Sequence, residues 1–181
     1  FLLSTYSDGD FKNDFENLGT DEKILKYILH RINTYLADKY ADVRVIDNLE
    51  LEHILPKSPK KSLYSDGGWE LDRFFTGYDT STEPHYQKQF STNWVWMLGN
   101  LTLLHYKTNK TIGNSNFGKK LLWKNQDGDD LGYSKSQLPI NIDTLLKDEN
   151  GNDRQDWTAL SLIERTEILN DKALEVWKLP E

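Results

Sequence analysis

Two short segments limit what this chain can fold into more than any other feature of its sequence. The first reads Glu-His-Ile-Leu-Pro at residues 52–56, and the second covers residues 99–109. Alternating and β-branched residues predict a strand over residues 43–55, and the apolar run at residues 93–104 turns at Gly99-Asn100 into a second predicted strand that begins near Asn100. The pattern becomes helical over residues 109–124. We therefore expect a strand pair with a helix across it, which brings the polar residues of both segments together.

The polar residues of the two segments have the chemistry that phosphodiester hydrolysis requires. An imidazole with an ordinary pKa accepts a proton at physiological pH, so His53 is the candidate general base. Glu52 and the side-chain oxygen of Asn109 are ligands for a hard cation such as magnesium, which keeps several water molecules. Asn100 lies in a Gly-Asn turn and is suited to hydrogen bonds that orient the opposite loop. The candidate site residues of the two segments are therefore His53, Asn100, Glu52 and Asn109.

Charge is acidic overall, but basic residues gather near the predicted site. The 181 residues include 22 Lys and Arg against 29 Asp and Glu, which argues against a general nucleic-acid coat protein. No acidic residue lies between His105 and Gln126, whereas that interval holds Lys107, Lys110, Lys119, Lys120 and Lys124. Such a cluster is typical of a surface that binds phosphate groups. The alternative interpretation is a solvated helix face that carries these lysines without binding DNA. We predict that Lys110, Lys119 and Lys120 bind DNA.

Two longer helices are predicted to flank the strand pair. A capping hydroxyl and two acidic residues begin a helix over residues 21–39, whose apolar residues follow helical spacing. A capping box at residues 161–164 begins a final helix that continues through about Trp177. We divide the chain into an irregular lead-in from a longer parent chain, residues 1–20, and one nuclease domain. That domain covers residues 21–181, with a core at 43–125 and helical flanks at 21–40 and 136–178.

The motifs resemble a known family. Residues 52–56, residues 98–104, Asn109 and residues 114–120 are similar to the C-terminal nuclease domain of GmrSD-type modification-dependent restriction enzymes and related phage-defence proteins. The resemblance covers about residues 24–178. That domain is a variant of the HNH, or ββα-metal, nucleases. The resemblance implies an α+β fold with a ββα-metal core inside helical N- and C-terminal layers.

The resemblance also implies roles for individual residues. His53 would be the general base, Asn100 the orienting residue, and Glu52 and Asn109 the metal ligands. The nine-residue step from Asn100 to Asn109 resembles the spacing in the HNH domain of CRISPR effector nucleases. Asn109 stands where many HNH enzymes have histidine, so the ligands are all oxygen and favour Mg²⁺ or Mn²⁺ over zinc. The gap between His53 and Asn100 is longer than in a minimal HNH hairpin.

The expected partner is DNA, either phage or modified DNA, in a bacterial antiviral restriction system. The resemblance implies an N-terminal nucleotide-hydrolysing sensor domain in the same parent protein. This chain has no Gly-rich phosphate loop of its own, so we expect no nucleotide binding here. No apolar run approaches the roughly 18 residues of a membrane span, and no signal peptide is visible. We expect a cytoplasmic protein without a membrane partner.

Two other classes of function stay open. The same fold could serve as a catalytically silent module that binds DNA or a partner protein, although Glu52, His53 and Asn109 together favour an enzyme. A zinc hydrolase could use several of the four histidines, but none has the i, i+4 helix spacing of such sites. The chain contains no cysteine, which excludes disulfides and thiolate zinc sites.

Overall fold

The computed structural model describes residues 7–16, 18–38, 48–60, 62–79, 81 and 92–178. Within these ranges the chain has a mixed α+β fold with one two-stranded antiparallel sheet. The strands are β1 (Leu49–His53) and β2 (Leu101–His105). The helices are α1 (Asp8–Glu16), α2 (Glu22–Ala37), α3 (Leu71–Phe74), α4 (Thr92–Trp96), α5 (Tyr106–Ile112), α6 (Phe117–Leu121), α7 (Pro139–Thr144) and α8 (Ala159–Val176). Single 3-10 turns lie at Tyr64–Asp66, Leu98–Asn100 and Tyr133–Lys135.

The predicted strand pair is confirmed, and β1 ends at His53, two residues before the predicted end of the first strand. β1 and β2 are antiparallel and in register over all five residues of each strand. Residues 43–47 of the predicted first strand lie outside the described residues. The second strand begins directly after the predicted turn at Gly99-Asn100, and the apolar residues before that turn include α4. A short buried apolar run has the same pattern in a strand and in a helix, and Trp94 of α4 is only 1% exposed.

The helix predicted over residues 109–124 is divided into two short helices. α5 follows β2 without a break and contacts both strands. It ends at Gly113, whose φ of 61° disfavours a side chain. α6 begins after Asn116, whose side chain accepts a hydrogen bond from the Lys119 amide. The strand–strand–helix order predicted from the sequence is therefore present, and its helix packs on the strand pair.

The apolar stripes of residues 21–39 and 161–177 predict helices, and both are confirmed as α2 and α8. α2 is capped by Asp21, whose carboxylate accepts hydrogen bonds from the next amides in the helix. α8 begins before the predicted capping box. Its N-cap is Thr158, whose hydroxyl accepts a hydrogen bond of 3.2 Å from the Ser161 amide. Ser161 is therefore inside the helix and does not begin it.

Replacement of Thr158 by alanine is expected to destabilise the protein by about 1 kcal/mol, because the first turn of α8 loses its side-chain acceptor. The same change at Ser161 is expected to cost less, since alanine keeps the backbone amide that donates to Thr158 and loses only the hydroxyl–hydroxyl hydrogen bond of 3.1 Å. Urea unfolding of both variants measures the difference. A larger loss for Ser161→Ala than for Thr158→Ala would contradict this cap.

The N-terminal segment is not the irregular lead-in predicted for residues 1–20, because α1 occupies much of it. Residues 1–6 lie outside the described residues. Ser7 and Asp10 cap the helix reciprocally: the Asp10 carboxylate accepts from the Ser7 amide at 2.8 Å, and the Ser7 hydroxyl accepts from the Asp10 amide at 3.1 Å. Phe15 packs against Trp177 with ring centroids 5.8 Å apart. So short a helix carries too few apolar residues for its period to be read.

Two clusters of buried apolar side chains enclose the strand pair. One holds Ile54 and Leu55, both 0% exposed, which anchor the chain directly after His53. It also contains aromatic rings from several elements: Trp69, Phe74, Phe75, Trp94, Phe117 and Trp157. The second cluster joins α1, α2, α7 and α8 to the strands. No helix in the described part of the chain is long and apolar enough to cross a membrane.

A buried arginine joins α8 to the segment that leads into β2. Arg165 is 0% exposed and donates hydrogen bonds to the carbonyl oxygens of Gly99 and Leu101, at 2.6 and 2.7 Å. It also donates to the hydroxyl groups of Thr102 and Thr144. A side chain at position 99 would collide with the carbonyl oxygen of Leu162 in α8. This contact therefore requires glycine, and α8 fixes the position of the turn that contains Asn100.

Candidate functional site

The imidazole of His53 lies at the end of β1 in a largely apolar setting. His53 is 8% exposed, and its ring meets that of Trp96 edge-on with centroids 4.8 Å apart. Its pKa is lowered from 6.5 to about 4, chiefly by burial; Lys57 and Lys120 act in the same direction and Glu22 opposes them. Nε2 is buried and has no hydrogen-bond partner among the described residues. The ring is therefore neutral at physiological pH and can accept a proton, but a pKa so far below the operating pH makes it a weaker base than an ordinary imidazole.

The lowered pKa of His53 predicts a pH dependence of folding. The unfolded chain binds a proton at His53 below pH 6.5, whereas the folded chain resists protonation until about pH 4. The stability that His53 contributes is thus present above pH 6.5 and is lost as the pH falls towards 4. The full shift corresponds to roughly 3 kcal/mol.

The measurement is urea unfolding in EDTA at a series of pH values from about 7 to about 4, for wild type and His53→Gln. We expect the unfolding free energy of wild type to fall relative to that of His53→Gln as the pH is lowered across this range. Parallel curves would contradict the lowered pKa. The carboxyl groups titrate in both proteins, so their contribution cancels in the difference.

The carboxylate of Glu52 is held by two buried donors. Glu52 is 6% exposed, and its Oε1 accepts hydrogen bonds from Lys120 Nζ at 2.6 Å and from the Tyr133 hydroxyl at 2.7 Å. Burial, followed by the charge of Glu52, raises the pKa of Tyr133 well above its ordinary value, so the hydroxyl stays a donor. Oε2 has no hydrogen-bond partner in the part of the chain that the structure describes. Oε2 is therefore the oxygen that Glu52 can offer to a cation.

The assignment of Lys120 to DNA binding is corrected by its burial. The side chain is 0% exposed, and Nζ donates to the carbonyl oxygens of His53 and Ile54, at 2.9 and 3.1 Å, as well as to Glu52. Burial lowers the pKa of the ammonium group, and Glu52 opposes that shift. All three N–H groups of the ammonium are occupied, so none remains for a phosphate. The basic run in the sequence gave no indication that one of its lysines points inwards.

Asn109 lies against β1, next to Glu50 rather than Glu52. Its Nδ2 donates to the carbonyl oxygen of Leu51 at 3.2 Å and to Glu50 Oε2 at 3.4 Å. Its Oδ1 accepts no hydrogen bond from the described residues. Glu50 and Glu52 are two residues apart on a strand, so they project from the same face. One face of β1 therefore carries two carboxylates, with the Asn109 amide beside the first.

The predicted residues meet at β1 without touching one another. Neighbouring residues of a strand point to opposite faces, so the side chains of Glu52 and His53 leave β1 on opposite sides. No hydrogen bond joins His53, Glu52 or Asn109 to another of the three within the described ranges. The strand from Glu50 to His53 is about 10 Å long at ~3.3 Å per residue. The three groups thus lie along one short strand, but no shared ligand position is observed among them.

Asn100 connects the loop after His53 to the start of β2. It is 0% exposed, its Oδ1 accepts a hydrogen bond from the Leu55 amide at 2.8 Å, and its Nδ2 donates to the Leu55 carbonyl at 2.9 Å. Nδ2 also donates to the Val95 carbonyl, and Oδ1 also accepts from the Trp157 indole. The whole amide is occupied by these partners. Asn100 can therefore act on a reaction only by holding the loop that follows His53.

Two of the three lysines predicted to bind DNA are exposed to solvent. Lys110 directly follows Asn109 on α5, and Lys119 on α6 donates to the Asp66 carbonyl oxygen at 3.1 Å. Lys107 and Lys124 are exposed as well, and Lys124 forms an ion pair of 3.1 Å with Asp130. The described helices next to the strand pair thus present positive charge to solvent.

The available oxygen atoms suit a hard divalent cation. Among the described residues, Glu52 Oε2 and Asn109 Oδ1 accept no hydrogen bond, and neither does Oε1 of the exposed Glu50. Magnesium keeps several waters and needs only one or two protein oxygens, so this donor set fits Mg²⁺ or Mn²⁺. Among the residues that the structure describes, no group of three or more His, Asp or Glu could hold a metal ion.

The histidines do not form a zinc site within the described residues. His53 and His105 lie at opposite ends of the strand pair, where His53 is opposite Leu101 and His105 is opposite Leu49. This places them about 13 Å apart along the strands. His30 lies on the exposed face of α2, and His85 is outside the described residues.

Sequence analysis did not identify Glu50 and Tyr133 as residues of this site. A signal existed for Glu50, because strand alternation places it on the same face as Glu52. No local signal existed for Tyr133, which lies in a 3-10 turn far along the chain and reaches Glu52 only through the tertiary fold.

Comparison with known proteins identifies the family. Residues 5–172 match the family described as GmrSD restriction endonucleases, C-terminal domain. The match confirms the resemblance drawn from the motifs, and it includes both strands and the helices packed on them. No curated protein and no solved structure matches the chain. Because the family match covers most of its residues, this protein belongs to the family of C-terminal domains of GmrSD restriction endonucleases.

Proposed function

We propose that the domain is a divalent-metal-dependent endonuclease that hydrolyses DNA phosphodiester bonds with a single metal ion. In this proposal His53 is the general base, Glu52 and Asn109 hold Mg²⁺ or Mn²⁺, and Asn100 positions the loop after β1. The core formed by β1, β2 and α5 would then be a ββα-metal core of the HNH type. When bound, the cation would polarise the phosphate and stabilise the departing 3′ oxygen.

One observation carries the proposal. At the end of β1, a carboxylate whose Oε2 is unpartnered among the described residues is followed in sequence by a neutral imidazole whose Nε2 is also unpartnered there. A buried ring nitrogen without a hydrogen bond is unfavourable, so its presence favours a site that receives a partner such as water or a substrate. Restriction endonuclease membership supports DNA as that substrate.

In the proposed reaction His53 assists the attack of water by taking up its proton. It accepts a proton from water as the water oxygen bonds to phosphorus, and the bond between phosphorus and the 3′ oxygen breaks. A ring that is already neutral well below pH 7 accepts that proton without first losing one. Asn100 contributes by holding Leu55, two residues beyond His53, through both of its amide atoms.

Lys110 and Lys119 are assigned to the phosphate backbone of DNA. Both are exposed, and Lys110 directly follows the proposed ligand Asn109. Contacts of this kind position the duplex without reading its sequence, and they weaken as salt is added. Family membership supports a place in a bacterial antiphage restriction system in the cytoplasm, with an N-terminal nucleotide-hydrolysing sensor domain in the same parent protein.

The direct test is cleavage of supercoiled plasmid, and of phage DNA with modified cytosine, in the presence of Mg²⁺, Mn²⁺ or EDTA. The proposal predicts nicked or linear product with at least one of the metals and none with EDTA. The relative amounts of nicked circles and linear product also show whether the enzyme cuts one strand or both. Cleavage that persists in EDTA would overturn the metal-dependent mechanism.

A catalytically silent binding module on the same fold is the competing function. It is favoured by the lack of direct contact between His53, Glu52 and Asn109 in the described structure. This alternative predicts that both DNAs are retarded in a native gel while the plasmid stays supercoiled with every metal. That result would reject the endonuclease.

A further inference from the structure

The buried lysine of α6 binds the part of β1 that carries the proposed catalytic pair. Lys120 Nζ donates to Glu52 Oε1 at 2.6 Å and to the carbonyl oxygens of His53 and Ile54, at 2.9 and 3.1 Å. One ammonium group thus fixes a side chain and two consecutive peptide groups. Its side chain is 0% exposed, so water does not compete for these bonds.

Tyr133 approaches the same carboxylate oxygen from another element. Its hydroxyl donates to Glu52 Oε1 at 2.7 Å, and the ring is 0% exposed against Phe117, with centroids 5.8 Å apart. Both donors therefore converge on Oε1, and neither reaches Oε2. The carboxylate can rotate little about its last bond while both hydrogen bonds persist.

The element that carries Lys120 is itself held firmly. α6 follows Asn116, which is 1% exposed and whose side chain donates to the carbonyl oxygens of Tyr64 and Gly68. The ring of Phe117 then stacks on that of Trp157 with centroids 5.6 Å apart. The ammonium group is consequently delivered from a packed helix rather than from a mobile surface segment.

We propose that Lys120 and Tyr133 are positioning residues for metal binding: they occupy Oε1 of Glu52 so that Oε2 is presented to the cation in a fixed direction. This inference rests on the proposed function, because it assumes that Glu52 is a metal ligand. Groups that orient a metal ligand typically change metal affinity or activity by about 10- to 100-fold when they are removed. A buried ion pair is a poor source of stability by itself, which leaves ligand orientation as the effect that this arrangement supplies.

A different role for Lys120 makes the opposite prediction. If its ammonium group took the place of the cation, removal of the charge would strengthen metal binding. Positioning predicts weaker binding, since Glu52 would lose a partner that fixes its orientation. The sign of the change in metal affinity therefore separates the two roles.

The experiment is a calorimetric titration of the full chain with Mn²⁺, without DNA, for wild type, Tyr133→Phe and Lys120→Met. Tyr133→Phe removes one hydroxyl and keeps the ring, so we expect an unchanged fold by circular dichroism and a Kd raised by about 10-fold. Lys120→Met is expected to raise the Kd further. Tyr35→Phe is the matched control, because its hydroxyl also donates to a carboxylate, Glu175 at 2.6 Å, and this pair joins α2 to α8 rather than holding Glu52 or α6. Its Kd should equal that of wild type.

Three results would overturn the inference. An unchanged Kd in a folded Tyr133→Phe would show that Glu52 does not need the second donor, and the proposed nuclease would stand if wild type binds Mn²⁺ and cuts DNA. A lower Kd in Lys120→Met would show that the lysine competes with the metal. Failure of wild type to bind Mn²⁺ at all would reject the metal site, and with it both the inference and the proposed mechanism.

Discussion

Replacement of His53 by alanine is expected to lower the rate of DNA cleavage by about 10²- to 10⁴-fold, the usual effect of losing a general base. Wild-type His53 is neutral at pH 7 because its pKa is lowered to about 4, so it can accept a proton throughout the physiological range. Alanine provides no acceptor at that point. The rate is measured from the conversion of supercoiled plasmid under saturating Mn²⁺, where differences in metal affinity do not contribute.

His30→Ala is the matched control for this variant. His30 is exposed on α2, and the substitution removes the same side chain from a residue that is not part of the proposed site. We expect wild-type cleavage from it. A folded His53→Ala that cuts as fast as His30→Ala would exclude His53 as the base, whatever the metal dependence of the wild type.

Arg165→Met is expected to destabilise the protein by about 3–5 kcal/mol, among the largest effects of a single substitution. The guanidinium group donates hydrogen bonds to two backbone carbonyls and two hydroxyls. Methionine leaves these buried acceptors without that donor. An opposing effect exists. Burial, with Arg154 nearby, lowers the pKa of Arg165 from 12.5 to about 9, so removal of the charge relieves some desolvation. Since several buried acceptors are left unpaired at once, we expect the lost hydrogen bonds to outweigh the relief of desolvation.

Urea unfolding at neutral pH measures this effect. Arg165→Lys is expected to lie between wild type and Arg165→Met, because an ammonium group keeps the charge but cannot reach as many acceptors as the planar guanidinium. Arg31→Met is the control, since Arg31 is exposed on α2. A stability equal to wild type in Arg165→Met would show that the buried charge contributes nothing to the attachment of α8.

The strand pair and the two long helices could be predicted because each follows from a local pattern. The apolar spacing of residues 21–39 has one helical interpretation, and β2 follows a Gly-Asn turn with a short apolar strand pattern. The segment before β2 could not be predicted, since the apolar residues around Trp94 suit a strand as well as a helix until their packing is known. α1 is too short for its period to be recognised.

The candidate site was predictable in its residue types but not in its contacts. Glu52, His53 and Asn100 lie where the strand pair was expected to place them, at the end of β1 and the start of β2. The inward turn of Lys120 could not be predicted, because a lysine in a basic run is solvated in most proteins and its burial depends on two distant partners. Asn109 is on the expected helix, yet it meets Glu50 first.

The position of Asn109 makes Glu50 a rival to Glu52 as metal ligand. Glu50 is exposed and contacts the Asn109 amide, whereas Glu52 is buried and is held by Lys120 and Tyr133. The fixed carboxylate is the better ligand, because a side chain that is already oriented loses less conformational entropy on binding. The two residues share one strand face, which makes Glu50→Gln a closely matched control for Glu52→Gln.

The central claim is that one divalent ion binds at Glu52 beside His53, and calorimetric titration of Glu52→Gln and Glu50→Gln with Mn²⁺ tests it most directly. We expect one bound ion in wild type and in Glu50→Gln, and no measurable binding in Glu52→Gln with its fold intact. Retained binding in Glu52→Gln, with loss in Glu50→Gln, would contradict the site described here.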